Sequence, residues 1–268
     1  MKIGFIGLGS MGGSLARLVT QDERYRSELL LANQSRDKAE KIAAEVAGQP
    51  VSNAEVFSRA EVIFLGIKPA QFADLLAEYR EILDKRDSLL LVSMAAGLTL
   101  ELLEKLSPRH HRWIRIMPNT PVAVGEGVIS YALSQQANQA DEDLLRELLS
   151  SAGLLVKLEE KQLDAATALA GCSPAFVYLF IEALADAGVR AGLSRDISLE
   201  LVNQTLLGAA KLSQVSGQHP AQLKDQVCSP AGSTIAGVAS LEENAFRGTI
   251  MDAVQAAYKR TQELGKKS

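Results

Sequence analysis

Hydrophobic positions in the first half of the chain gather in short, mostly apolar runs, at residues 2–6, 29–32, 62–67, 89–93 and 113–117. Runs such as VIFLGI and LLLVSM show no polar alternation, as expected of strands buried on both faces. Between them, residues 11–20, 37–47, 70–83 and 100–106 carry helical spacing. This alternation predicts parallel βαβ units with helices on both faces of a doubly wound sheet. From about residue 141 the pattern changes to helices, with one strand near 154–158. The expected architecture is α/β, with a dinucleotide-binding domain over 1–158 and an all-helical domain over 159–268.

The helical half has an unusual first member. Residues 174–189, PAFVYLFIEALADAGV, begin with proline at the favoured first turn and are apolar around most of the circumference. A helix of that kind must be covered on several sides, so subunit association is expected. Further helices are predicted at 194–215, 235–243 and 245–264.

Composition narrows the partners. The 268 residues are 47% hydrophobic and carry a formal net charge of -4, with no basic stripe. Nucleic acid and anionic membrane surfaces are therefore not expected partners. The apolar run at 175–184 is too short to span a bilayer and contains Glu182. The three glycines within residues 7–12 would interrupt a signal-peptide helix. Cys172 and Cys228 make no disulfide framework, and His110, His111 and His219 lack metal-ligand spacing. A cytoplasmic protein without metal is expected.

Gly7-Leu8-Gly9-Ser10-Met11-Gly12 is a GxGxxG fingerprint that follows a predicted strand and opens a predicted helix. Gly7 permits the tight turn, Gly9 lets the backbone approach a pyrophosphate, and Gly12 permits close packing of helix on strand. The helix N-terminus supplies free N–H groups for the anion. The sheet is thus expected to be Rossmann-type. After the second strand comes Asn33-Gln34-Ser35-Arg36, with no carboxylate to bind a ribose diol. Ser35 and Arg36 suit a 2′-phosphate, which favours NADPH, with NADH as the alternative. Asn53, after the third strand, either caps the next helix or touches the adenosine. The strand-end loops 66–69 and 93–97 should border the cofactor. The expected cofactor set is Gly7, Gly9, Ser10, Met11, Gly12, Ser35, Arg36, Asn53, Ile67, Lys68, Pro69, Met94, Ala95, Ala96, Gly97 and Asn119.

A second informative stretch is VCSPAGSTIAG at 227–237, uncharged and rich in hydroxyls. Gly232, Ser233 and Thr234 precede a predicted helix, whose N-terminus can bind a carboxylate.

Taken together, FIGLGSMG (5–12), GIKP (66–69), RIMPNTPVAVGEG (115–127), SPAFVYLFIEALADAGVRAGL (173–193), QTLLGAAKL (204–212) and HPAQLKDQVCSPAGSTIAGVASLEENAFRG (219–248) resemble pyrroline-5-carboxylate reductase over essentially the whole chain. The last string is similar to the family signature. Ser173 stands where the family usually has glycine, and Ala231 and Ser233 stand where SPGGTT is common. Ala231 matters if its position needs a positive φ.

The resemblance implies a Rossmann domain and a helical dimerisation domain that interlocks two subunits, as a homodimer or higher homo-oligomer. It implies a cyclic imine carboxylate as small-molecule substrate, reduced to proline by hydride from NAD(P)H. The Ser229–Thr234 loop would hold it: Thr234 and Ser229 as the catalytic pair, with backbone N–H groups of Ser233 and Thr234 and the close approach at Gly232 for the carboxylate. Two other readings compete. A β-hydroxyacid dehydrogenase shares the first motif but needs a lysine on its long helix, and residues 171–188 contain none. A cofactor-binding paralogue with a regulatory role would keep the fold without the chemistry.

Overall fold

The computed structural model describes residues 1–107 and 111–265, so His110 lies outside the described residues. Among these, eight strands form one sheet: β1 (Ile3–Ile6), β2 (Leu29–Ala32), β3 (Gln49–Pro50), β4 (Val62–Leu65), β5 (Leu90–Ser93), β6 (Arg112–Pro118), β7 (Gly127–Leu133) and β8 (Gly153–Lys157). Their order is β3-β2-β1-β4-β5-β6-β7-β8. β1 lies between β2 and β4, so the chain reverses its direction of winding there. That reversal opens a crevice at the carboxyl ends of the strands.

The period-two alternation of side chains explains both cores. Phe5, Leu31, Phe64, Val92 and Ile114 enter one apolar layer. Ile6, Leu30, Ile63, Leu91 and Trp113 enter the opposite one. Across neighbouring strands Phe5 and Phe64 stack with ring centroids 4.7 Å apart. Helices cover both faces, and one settles directly on β1: a Cβ at Gly4 would meet Val56 Cγ1 at 2.4 Å.

The structure departs from the expectation in three places. β7 pairs antiparallel with β6, against a uniformly parallel sheet. The connection between them is only residues 119–126, whereas a parallel crossover needs about a dozen residues or more. It turns through Gly125 at φ +76. The helix expected at 70–83 is instead two, Phe72–Glu78 and Arg80–Asp84, broken at Tyr79. The helix expected after the third strand is capped by Ser52 and includes Asn53, one candidate for its cap, as its first residue, running Asn53–Arg59. The helical stretch Glu160–Arg190 is longer than the 175–184 run and is long and apolar enough, by length and composition, to cross a membrane.

By compactness the chain divides after residue 172. One unit comprises Met1–Cys172 with Ala257–Ser268, the other Ser173–Ala256. Residues 160–172 stay with the sheet because side chains tie them there. Leu163 is fully buried in the core. Arg115 on β6 pairs with Glu160 and Asp164, and Asn119 Nδ2 donates to the Ala170 carbonyl at 3.1 Å. Thr167–Gly171 forms a π-helical turn, in which the Cys172 amide donates to the Thr167 carbonyl.

The second unit is helical. Its helices Ser173–Arg190 and Arg195–Ser216 form a hairpin closed at Gly192 (φ +102). They cross closely: a Cβ at Gly188 would meet Ser198 Oγ at 2.5 Å. Within Ser173–Arg190 only Ala185 is buried in a single protomer. Val177, Tyr178 and Leu179 are exposed, Leu179 by 67%.

Candidate active site

The GxGxxG backbone sits in the crevice at the β1–β4 crossing. Gly7 follows β1 with φ +89, and its amide donates to the Ala32 carbonyl at the end of β2. The helix Ser10–Val19 begins at once, with Gly9 as its N-cap and no side chain satisfying its first amides. A Cβ on Gly12 would meet the Gly7 carbonyl at 2.1 Å, so only glycine lets this helix lie against the turn. Gly66, after β4, is the third member of this contact, since its Cβ would meet the same carbonyl at 2.6 Å. Gly9 differs: a Cβ there would meet nothing within 4 Å. Gly9 therefore faces open space, where a ligand can approach bare backbone. The glycine cradle and the unsatisfied helix amides fit a dinucleotide pyrophosphate.

The adjoining cleft has a volume of about 560 Å³ and is lined by Gly7, Gly9, Asn53, Ile67 and Lys68 among the expected residues. Asn33 and Gln34, from the segment after β2, also line it, as do Ser52, Gln71, Asp74 and Glu78, which had not been expected at the site. Arg36 lines a neighbouring cleft of about 300 Å³, together with Asn33, Ser52 and Glu55. The arginine is 86% exposed, with Nε held 2.9 Å from Glu40 Oε1 one turn further along its helix. Ser35 is the N-cap of that helix, yet its side chain makes no capping hydrogen bond. The choice left open for Asn53 is resolved in part. Ser52 is the cap, exchanging hydrogen bonds with Glu55, and Asn53 opens the helix at the cleft wall.

The remaining expected cofactor residues lie off the two clefts. Ser10, Met11 and Gly12 form the first turn of the helix under the phosphate loop. Pro69 starts a 3₁₀ turn whose Gln71 side chain accepts from the Lys68 amide at 3.2 Å. Met94 touches the cradle through Gly66, Ala95 is buried, Ala96 is partly buried, and Gly97 turns the loop at φ +82. Asn119 is buried with both polar ends engaged: Oδ1 accepts from the Val128 amide at 2.8 Å and Nδ2 donates to Ala170.

The hydroxyl-rich loop is a tight turn. The Gly232 amide donates to the Ser229 carbonyl at 3.0 Å, closing a turn with Pro230 and Ala231 at its centre. Proline first and a positive φ second define a type II turn, which favours glycine at the second central position. Ala231 holds φ +55 there, so the position does need the left-handed conformation and this chain meets it with a non-glycine residue. Gly232 is the N-cap of the helix Ser233–Glu243 and offers no side-chain cap. The first amides of that helix, those of Ser233 and Thr234 among them, are left for another acceptor. Thr234 stands beyond the cap and is exposed with Ser229 and Ser233.

The chain is similar to known proteins along nearly its whole length. Residues 160–264 match the protein-family model described as pyrroline-5-carboxylate reductase dimerisation. Residues 2–97 match the one described as NADP oxidoreductase, coenzyme F420-dependent. The chain is 44% identical over 264 residues to the pyrroline-5-carboxylate reductase of Pisum sativum, covering 98% of this chain and 95% of the relative. It superimposes on the crystal structure of the Plasmodium falciparum pyrroline carboxylate reductase with NADP bound, at a TM-score of 0.88 and 36% identity, covering 99% of this chain and 98% of that one. The Streptococcus pyogenes 1-pyrroline-5-carboxylate reductase gives a TM-score of 0.87 at 32% identity, covering 98% of each chain. The chain belongs to the pyrroline-5-carboxylate reductase family, NAD(P)H-dependent oxidoreductases that join a Rossmann-type sheet to a helical dimerisation domain.

Proposed function

We propose that this protein reduces the cyclic imine of 1-pyrroline-5-carboxylate to proline with NADPH, working as a homodimer in the cytoplasm. The observation that carries the reading is the glycine cradle at the β1–β4 crossing with Gly9 open to a ligand. Reduced nicotinamide supplies the hydride. The chain's own residues bind and orient. The unsatisfied amides of Ser233 and Thr234 hold the substrate carboxylate. The Thr234 hydroxyl orients the ring nitrogen, and Ser229 supports the turn that presents it. A protonated imine is electrophilic at carbon, so an uncharged loop suffices and catalysis rests mostly on positioning. Ser35 and Arg36 read the 2′-phosphate, since no carboxylate stands at the end of β2.

The dimer rests on the exposed apolar side chains of Ser173–Arg190 and of its hairpin partner, which include Leu179, Leu201, Leu207 and Val215. Exposed apolar surface of that extent marks an interaction site, and these residues fall inside the match to the dimerisation model. The cytoplasmic assignment rests on two unpaired cysteines and ordinary acidic composition.

The test is steady-state oxidation of NADPH by the purified protein on addition of 1-pyrroline-5-carboxylate, with proline identified as product. Oxidation without proline formation, or no imine-dependent oxidation, overturns the reading. Light scattering at micromolar concentration tests the dimer, and an active monomer would dismiss it.

A further inference from the structure

The end of β2 holds a residue that does more than leave out a carboxylate. Asn33 reaches in two directions with one side-chain amide. Its Oδ1 accepts from the Leu8 amide, inside the phosphate loop, at 2.9 Å. Its Nδ2 donates to the Ser35 carbonyl, in the turn that precedes Arg36, at 3.1 Å. It also lines both clefts, the one over the glycine cradle and the one beside Arg36. The two anion-facing segments follow neighbouring strands, β1 and β2, and the Gly7–Ala32 bond joins them at the strand ends. Past that bond, where the two segments leave the sheet, one planar amide links Leu8 to Ser35.

We propose that Asn33 is a positioning residue for cofactor selectivity, holding the Ser35–Arg36 turn in fixed register with the phosphate loop; this rests on the reading that Ser35 and Arg36 face the 2′-phosphate. The clasp requires one acceptor and one donor on adjacent atoms, which asparagine supplies and aspartate does not. An aspartate would set a carboxylate oxygen against the Ser35 carbonyl with no proton between them. It would also bring negative charge to the phosphate. Alanine separates these two effects, because it removes the clasp and adds no charge.

The experiment measures NADP+ and NAD+ dissociation constants by calorimetry for the wild type, Asn33→Ala, Arg36→Ala and the double variant, with kcat/KM for NADPH and NADH alongside. The ratio of the two cofactors cancels any loss of folded protein, so a partly unfolded variant still reports. Asn33→Ala is expected to lower the NADP+ preference about tenfold, the scale of a mislaid hydrogen-bonded contact. In the Arg36→Ala background it should lower it much less, because it acts through that turn. An unchanged ratio in Asn33→Ala, with Arg36→Ala still shifting it, overturns the clasp alone. Unchanged ratios in both variants overturn the 2′-phosphate reading and the clasp with it. A full additional loss in the double variant also overturns the proposal, since Asn33 would then act independently.

Discussion

Arg115 reaches Asp164 across 49 positions of chain, Nη2 to Oδ1 at 3.1 Å, from a side chain only 3% exposed. Its Nη1 lies 3.4 Å from Glu160 Oε1, the same oxygen that accepts the Leu100 amide at 2.6 Å. One buried cation thus ties β6 to the segment that leads into the helical unit, and Glu160 extends the tie to the helix after the Gly97 loop. Removing one partner of a buried pair costs about 3–5 kcal/mol, because the remaining charge loses its compensation. Arg115→Ala leaves Glu160 and Asp164, which are 29% and 30% exposed, so its cost in urea unfolding should lie at or below the lower end of that range. Asp164→Asn should cost less, since the amide still accepts and Glu160 still pairs. An Arg115→Ala protein within about 1 kcal/mol of wild type would show the tie to be dispensable.

Thr234 is not the cap of its helix, so its loss should appear in rate more than in stability. A hydrogen bond to a charged group is worth about 1.5–3 kcal/mol, or about tenfold to 150-fold in kcat/KM for Thr234→Ala. Thr234→Ser keeps the hydroxyl and should keep most activity. A fully active Thr234→Ala enzyme would remove Thr234 from the chemistry.

Ala231 should reverse the usual order of alanine and glycine. A left-handed non-glycine residue costs about 1–2 kcal/mol, whereas glycine adds about 0.4–1 kcal/mol of unfolded-chain entropy. Ala231→Gly is therefore expected to melt at or slightly above the wild-type temperature, and Ala231→Val well below it. A clear drop in melting temperature for Ala231→Gly would contradict the φ of +55 found there.

Arg36 already has a partner in Glu40, 2.9 Å away, but the pair is exposed and weak. A 2′-phosphate can therefore recruit the guanidinium readily. Arg36→Ala should raise the KM for NADPH about tenfold and leave that for NADH nearly unchanged. Equal effects on both cofactors would mean that Arg36 does not read the phosphate.

Glu142 predicts an acid limb in the stability profile. Burial pushes its carboxyl upward, but Lys157, the Tyr131 hydroxyl and Arg146 together outweigh this and hold it below the usual range. A depressed folded-state value adds stability above the unfolded value, near about 4.3, and that stability is lost as pH falls through the folded one. Glu142→Gln should therefore flatten the melting temperature over the acid range while lowering it at neutral pH. Tyr131, pushed up to about 12 by burial and then by Glu142, donates to that carboxylate at 2.6 Å. Parallel acid profiles for wild type and Glu142→Gln would dismiss the linkage.

The features legible in the sequence are those set by local physics. Buried strands announce themselves as mostly apolar runs, and β2 and the helix Leu100–Leu106 fall where the pattern places them. The glycine cradle was legible because steric contact between Gly7 and Gly12 admits no Cβ, whatever surrounds it. The type II turn was foreshadowed by Pro230, although only the backbone revealed that Ala231 carries the positive φ. What tertiary structure alone decided depends on residues far apart in the chain. A third strand was expected before Asn53, but that it shrinks to the two exposed residues of β3 follows from its pairing with β2. The antiparallel β7 follows from a connection too short to cross over. Asn33 reads in sequence only as a missing carboxylate, and becomes a clasp when folding brings Leu8 against it. Residues 160–172 read as the start of the helical half, yet Arg115 and Asn119 draw them to the sheet, because a buried charge and a buried amide must find partners wherever the chain supplies them.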